Sequence, residues 1–287
     1  MDALVTTILL GIMQGGLYTL VGLGVTLTFG VTHILNFAHG EFITVGAYAF
    51  VLFAGAVGAG LALPLALLIA GGIAALLYVV GFRRTIGNHL QGLAFSLGLL
   101  LFVEAFMMRT FTATPRSGPR IEGTVSLIGQ EQMPVGRLIV IGVTIVVVVV
   151  TAFAMRRTWI GLALRACGDD EFAASTVGLP AKRVGLYAFV VAGVLAAVAG
   201  VCIALVVPIT PLTGLAFLLK GFVVAIIGGL GSIEGTFVAA MMLGLLEALG
   251  TRYVEAGLTN AYGFVLMIVI LLVAPAGLFN RRQVRAG

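Results

Sequence analysis

Residues 3–40 read ALVTTILLGIMQGGLYTLVGLGVTLTFGVTHILNFAHG and contain no Asp, Glu, Lys or Arg. This uncharged stretch is longer than the roughly 20 residues that a helix needs to cross a bilayer. The same bias continues along the chain, because 61% of its 287 residues are hydrophobic and only 9% are charged. A soluble domain averages about 25% charged residues. The stretch and the composition exclude an ordinary soluble fold and predict an integral membrane protein.

Further uncharged runs divide the chain into predicted membrane spans. They lie at 5–29, 41–60, 62–82, 90–109, 137–155, 184–207, 217–231, 233–250 and 259–279. We therefore predict an all-α, polytopic transmembrane protein of eight or nine spans, with residues 1–287 forming a single domain. Glycines within 30–46 and 228–232 leave two alternatives open at each place, either a broken or re-entrant helix in mid-membrane or a turn between two spans.

The charge distribution predicts an orientation in the membrane. The net charge is +5, and basic residues lie beside the apolar runs at 83–84, 156–157, 165, 182–183 and 281–285. By the positive-inside rule these segments are cytoplasmic. Membrane orientation explains the basic excess, so nucleic acid is not an expected partner. Cys167 and Cys202 are predicted to be free thiols.

Residues 36–42, NFAHGEF, place polar groups inside a long apolar stretch. Polar and ionisable residues at membrane depth are costly and point to a pathway or a buried pair. A broken helix here would expose Asn36, His39 and Glu41 to a central translocation path. The alternative is a segment at the cytoplasmic interface, where His39 and Glu41 are in water and cap helices. The residues leave both alternatives open.

Residues 165–180, RACGDDEFAASTVGLP, predict a short helix on the cytoplasmic side. Acidic residues favour a helix N-terminus, and Gly178 followed by Pro180 favours a stop, so the predicted helix runs over 169–177. It is too short to span a membrane. It is either a helical surface linker or a rigid element through which another protein moves the attached spans.

Isolated charges occur within the later apolar runs. Lys220 is a candidate for the translocation path, and the alternative is a lysine that extends its ammonium to the membrane interface. Glu104 and Glu247 are lone acids. Their nearest basic residues, Arg109 and Arg252, lie five positions further on, a spacing that faces poorly on a helix.

Several catalytic and nucleotide-binding motifs are absent from the sequence. It contains no G-x-x-x-x-G-K-[ST], no G-x-S-x-G and no metal-ligand spacing. We therefore predict that the chain is not an enzyme and holds no cofactor or metal. A gradient-driven transporter or channel, with Glu41 or Lys220 as a charge relay, is an alternative from a different class.

Four segments, in this order, carry a family resemblance. They are NFAHGEF at 36–42 with GAY at 46–48, the segment at 165–183, the run at 220–235 with its glycines, and PAGLF at 275–279. Together they resemble bacterial branched-chain amino acid ABC transporter permeases, and the chain is closer to the shorter of the two paralogous permeases in such systems.

The resemblance implies partners and a location. Two permeases, identical or paralogous, would pair in the bacterial inner membrane, with two cytoplasmic ATPases below and a periplasmic substrate-binding protein above. ATP would bind to the ATPases. The implied ATPase-coupling residues are Arg165, Asp169, Asp170, Ala173, Gly178 and Arg183. The implied substrates are leucine, isoleucine and valine, with short amides or urea as the alternative.

Overall fold

The computed structural model describes residues 2–119, 121–126 and 132–279. Its helices and strands, in chain order, are α1 (Asp2–Thr32), α2 (His39–Val57), α3 (Ala59–Leu77), α4 (Arg83–Thr85), α5 (His89–Phe111), β1 (Thr124–Ser126), β2 (Gln132–Pro134), α6 (Val135–Arg157), α7 (Trp159–Asp169), α8 (Glu171–Thr176), α9 (Ala181–Val206), α10 (Thr213–Gly228), α11 (Ile233–Tyr253) and α12 (Thr259–Val273). A π-helical turn at Tyr78–Phe82 joins α3 to α4.

The described helices confirm the polytopic helical fold. Eight are long and apolar enough to cross a membrane, with the segment from α3 to α4 counted as one, and α10 is a shorter apolar helix. All nine predicted spans therefore correspond to helices. The β-structure in the described residues is one antiparallel hairpin, β1 with β2, in the loop between α5 and α6. Arg281, Arg282 and Arg285 lie outside the described residues.

Helix α1 lies at the centre of the bundle and packs against α6, α9, α10 and α11. It runs antiparallel to α11, since Gly11 lies beside Leu245 and Gly22 lies beside Thr236. The hydroxyls of Thr26 and Thr236 are 2.7 Å apart and hydrogen-bond across this interface. Small residues such as these glycines let two membrane helices approach closely. Helix α1 is therefore surrounded by other helices.

Helices α2, α3 and α9 form a second layer. The layer is held by close backbone contacts and by the Tyr78 hydroxyl, which donates to the carbonyl of Lys182 at 2.9 Å. This bond joins the end of the third span to the start of α9. Basic pairs at both places, Arg83 with Arg84 and Lys182 with Arg183, therefore lie at one end of the bundle, which the positive-inside rule assigns to the cytoplasm.

The first of the two uncertain glycine segments is a re-entrant break. Helix α1 ends at Thr32, α2 begins at His39, and the Asn36 side chain accepts a hydrogen bond from the Ala38 N–H at 3.0 Å. The His39 ring contacts Gly24. Gly24 lies eight residues before the end of α1, which is about 12 Å along a helix. Helix α2 therefore starts well inside the bundle.

The second uncertain segment is a turn between two spans. Gly229 and Gly231 have φ values of 94° and 93°, a conformation that favours glycine. The Ser232 side chain then accepts a hydrogen bond from the Gly235 N–H at 3.1 Å and caps α11. Residues 228–232 thus connect α10 to α11 at the cytoplasmic end.

Candidate functional site

Two short helices lie at the cytoplasmic end between the spans α6 and α9. The Asp170 carboxylate caps α8 by accepting a hydrogen bond from the Ala173 N–H at 2.9 Å. The predicted single helix over 169–177 is wrong at its start, because Asp169 is the last residue of α7 and α8 begins at Glu171. An N-cap residue has a non-helical backbone, and the backbone of Asp170 is extended. This residue therefore interrupts the predicted helix and separates α7 from α8.

The end of α8 agrees with the stop signal in the sequence. Gly178 has a φ of 85°, and the Leu179 N–H donates to the Ala174 carbonyl at 3.0 Å. On the inner face of α8, Ala174 is buried in a cluster with Cys167 of α7 and Val184 of α9. Burial, with a further contribution from the charge of Glu171, raises the pKa of the Cys167 thiol. The α7–α8 element is therefore anchored to the span that follows it.

Two large apolar side chains are exposed on α8 and at its end. Phe172 is 79% exposed and Val177 is 75% exposed. On the lipid-facing sides of the spans such residues are expected, but here they lie beside charged residues at the cytoplasmic end. A large apolar side chain in that position favours contact with another protein.

The candidate coupling residues all lie at this end of the bundle. Asp169, Asp170, Ala173, Gly178 and Arg183 are exposed around α8. Arg165 is half-buried on α7 and faces a cavity. The structure therefore brings the six residues into one region.

The cavity has a volume of about 750 Å³ and lies between the ends of α1 and α6, helix α7, the α10–α11 turn and residues 275–279. Arg165 and Asp169 line it, and Arg156 pairs with Glu234 at its edge. Its last wall is fixed by the Leu278 N–H, which donates to the Ile227 carbonyl at 2.8 Å. Polar and apolar residues of α1, α6, α7 and the α10–α11 turn thus surround a space at the cytoplasmic end.

The polar residues at the start of α2 are buried. Asn36 and Glu41 are each 2% exposed and His39 is 0% exposed. The Asn36 amide nitrogen, both His39 ring nitrogens and both Glu41 carboxylate oxygens have no hydrogen-bond partner among the described residues. The alternative in which His39 and Glu41 cap helices in water at the interface is therefore wrong.

Lys220 belongs to a different cluster. Its ammonium on α10 pairs with the Glu247 carboxylate on α11, which also accepts a hydrogen bond from the Tyr18 hydroxyl of α1 at 2.6 Å. The exposed fractions of the Lys220 and Glu247 side chains are 14% and 0%. The alternative in which Lys220 extends to the membrane interface is wrong, and the four candidate path residues do not form one site.

Sequence reasoning missed this pair because it searched for partners of Glu247 on the same helix. The pair joins residues 27 positions apart on neighbouring spans. The sequence does contain a signal for this pair. Lys220 and Glu247 are lone, opposite charges in apolar helices, and an unpaired charge is costly at membrane depth. Gly263 of α12 lies against both side chains, so four helices meet at the pair.

Within residues 2–119, 121–126 and 132–279, nine apolar helices, buried polar groups between them and an exposed helical element at one end define a multi-pass membrane protein of the transport class. A family model described as "Branched-chain amino acid transport system / permease component" matches residues 7–275. The chain belongs to this family.

Individual relatives agree with this assignment. The high-affinity branched-chain amino acid transport system permease protein LivH of Escherichia coli (strain K12) is 28% identical over 96% of this chain and 94% of its own length. LivM of the same organism is also 28% identical, but over 91% of this chain and 67% of its own length. Among solved structures, PsaBC from Streptococcus pneumoniae in complex with Fab is 16% identical over 96% of this chain and 91% of that chain, with a TM-score of 0.48. The coverages of LivH and LivM show that this chain matches the shorter of these two permeases.

Proposed function

We propose that this chain is a permease subunit of a bacterial ATP-driven importer that carries branched-chain amino acids across the inner membrane. Family membership supports the transport role, and the names of the relatives support the substrate. Leucine, isoleucine and valine suit a path that runs among Leu, Val, Ile, Ala and Gly side chains. A highly charged or heavily hydroxylated solute would lose hydration there without replacement partners. Short amides or urea are the second candidate substrates.

The observation that carries the ATP-driven mechanism is the exposed α8, anchored to α9 and presenting Phe172 and Val177 at the cytoplasmic end. We assign this surface, with Arg165, Asp169, Asp170, Ala173, Gly178 and Arg183, to contact with a cytoplasmic ATPase. Two ATPases bind ATP and close on each other. The movement of α7 and α8 tilts the attached spans α6 and α9 and opens the path alternately to each side.

The remaining components follow from this role. A second permease, identical or paralogous, completes the path, and a periplasmic protein delivers the substrate. The chain itself forms one permease domain, catalyses no reaction and binds no cofactor. We assign Asn36, His39 and Glu41 to the path at the re-entrant break, whereas Lys220, the fourth candidate, is neutralised by Glu247 in a separate cluster. A gradient-driven carrier acting alone would not need the exposed α8 surface.

Reconstitution tests the proposal. The complete transporter in proteoliposomes, loaded with ATP inside and supplied with the binding protein outside, should accumulate labelled leucine, and unlabelled valine should compete. A sugar should not compete. Uptake of a labelled short amide or of urea without leucine or valine uptake would retain the importer and reject the branched-chain substrate. Uptake of leucine by this chain alone, driven by an ion gradient, would reject the ATP-driven mechanism.

A further inference from the structure

Helices α2 and α5 meet along a sparsely packed seam. Glu41 and Tyr48 lie seven residues apart on α2, and Glu104 and Phe111 lie seven residues apart on α5. Residues at this spacing share one face of a helix. The Ser96 hydroxyl of α5 donates to the Leu35 carbonyl at 3.4 Å just before α2, and the Tyr48 and Phe111 rings have centroids 4.8 Å apart, so the two helices run parallel and in register. Both helices therefore run toward the non-cytoplasmic end along the seam, with Glu41 and Glu104 at the same level.

Glu41 lies in the seam without a counter-ion. Its side chain is 98% buried, and neither carboxylate oxygen has a hydrogen-bond partner among the described residues. Neither of the two ion pairs in the described part of the chain includes it. Glu104, seven residues before Phe111 on the facing helix, is also acidic, and a second carboxylate cannot serve as a counter-ion.

A second buried group continues the seam away from the cytoplasm. Tyr48 is 98% buried, and its hydroxyl also has no partner among the described residues. It lies seven residues above Glu41, which is about 10 Å along α2. Near the end of the seam, the Arg116 guanidinium lies over the Phe111 ring, 5.4 Å from its centroid. Unpartnered polar groups thus extend from the middle of the bundle toward its non-cytoplasmic end.

Two carboxylates at the same level of neighbouring helices, with no ion pair to either among the described residues, form a site that a cation would complete. Lys220 cannot supply that charge, because Glu247 neutralises it on the far side of α10. Residues flanking the seam are apolar, since Phe37, Leu100 and Leu215 pack together beside it. A ligand with one positive group and an apolar remainder fits this combination of charge and surface.

We propose that Glu41 and Glu104 bind the ammonium group of the amino-acid substrate as it passes along the α2–α5 seam. This inference rests on the proposed function, because it takes the substrate to be an amino acid. The ammonium replaces its water with the two carboxylates, and the apolar side chain lies against the neighbouring apolar residues. Helix α5 packs on α2 far less extensively than α3 does, so the seam is the side of α2 that opens at least cost.

The test measures leucine transported per ATP hydrolysed by the reconstituted transporter. Glu41→Gln keeps the shape of the side chain and removes its charge. We expect transport per ATP to fall about tenfold or more, because the ammonium exchanges a charged acceptor for a neutral amide oxygen, while hydrolysis stimulated by the binding protein continues. The matched control is Glu122→Gln, the same change on an exposed loop residue, which should leave the ratio unchanged.

A second variant covers the case in which Glu41→Gln does not fold. Glu104→Lys changes a half-buried residue and places a fixed ammonium beside Glu41. We expect it to raise the melting temperature and to lower transport per ATP about tenfold or more, because the new ammonium competes with that of the substrate. A purely structural role for the two carboxylates would give the higher melting temperature with unchanged transport.

Two results would overturn the inference. The first is a wild-type ratio of leucine to ATP in Glu41→Gln, which would show that Glu41 acts as a neutral, protonated acid. The second is a wild-type ratio in Glu104→Lys. If the proposed function itself is wrong, the wild-type transporter will take up no leucine. That result differs from both of the results above, in which the wild type transports leucine normally.

Discussion

The Lys220–Glu247 pair offers the sharpest test of how the bundle is held together. Lys220→Met removes the ammonium and leaves a fully buried carboxylate with only the Tyr18 hydroxyl as a described partner. Breaking a buried pair on one side costs about 3–5 kcal/mol. The double variant Lys220→Met/Glu247→Gln removes both charges. It should recover part of this loss, with a coupling free energy between the two sites of about 2 kcal/mol.

Unfolding of the purified protein in detergent, followed for the wild type, both single variants and the double variant, measures that coupling. The matched control is the same cycle on Arg156 and Glu234, which also pair between spans but are 66% and 53% exposed. Its coupling should stay below about 1 kcal/mol. A double variant that loses the full sum of the two single losses would refute the argument that the charges stabilise the bundle as a pair.

Three further predictions concern other parts of the chain. Gly214→Ala should destabilise the protein by about 1–3 kcal/mol, because the new methyl group would contact the Gly40 carbonyl oxygen, whereas Gly98→Ala, with open space around it, should be tolerated in the same unfolding assay. Asp170→Ala should cost α8 its cap, about 1 kcal/mol, and should reduce ATPase stimulation in the assembled transporter; unchanged stimulation would argue against α8 as the contact. Burial raises the pKa of the Cys167 thiol, so its thiolate fraction at pH 7 is small, and maleimide should label it slowly until the protein is denatured, which mass spectrometry can follow.

The family resemblance could be drawn from local sequence, and the comparisons bear it out. The motifs at 36–42, 165–183, 220–235 and 275–279 follow each other in one order, and the family model covers 7–275. The stop at Gly178 could also be read locally, because a left-handed residue after a helix favours glycine. The start of α8 was misplaced by two residues, since acidic residues favour both the cap and the first turn.

The positions of the spans were determined by the sequence itself, and their number was determined to within one. A helix that crosses lipid needs about 20 consecutive apolar residues, so each span is visible in the sequence without knowledge of its neighbours. Basic residues at the span ends likewise indicate the cytoplasmic side, because their charges stay in water. These features depend on the membrane as a solvent rather than on packing.

Only the tertiary structure decided what each polar residue inside the bundle does. Glu41 and Glu247 look alike in sequence, as lone acids within apolar runs. In the structure, Glu247 is paired with Lys220 and Tyr18, whereas Glu41 has neither a hydrogen-bond partner nor a counter-ion among the described residues. The physical reason is that a charge at membrane depth is stabilised by partners on other helices. Which helices become neighbours depends on the packing of the whole bundle.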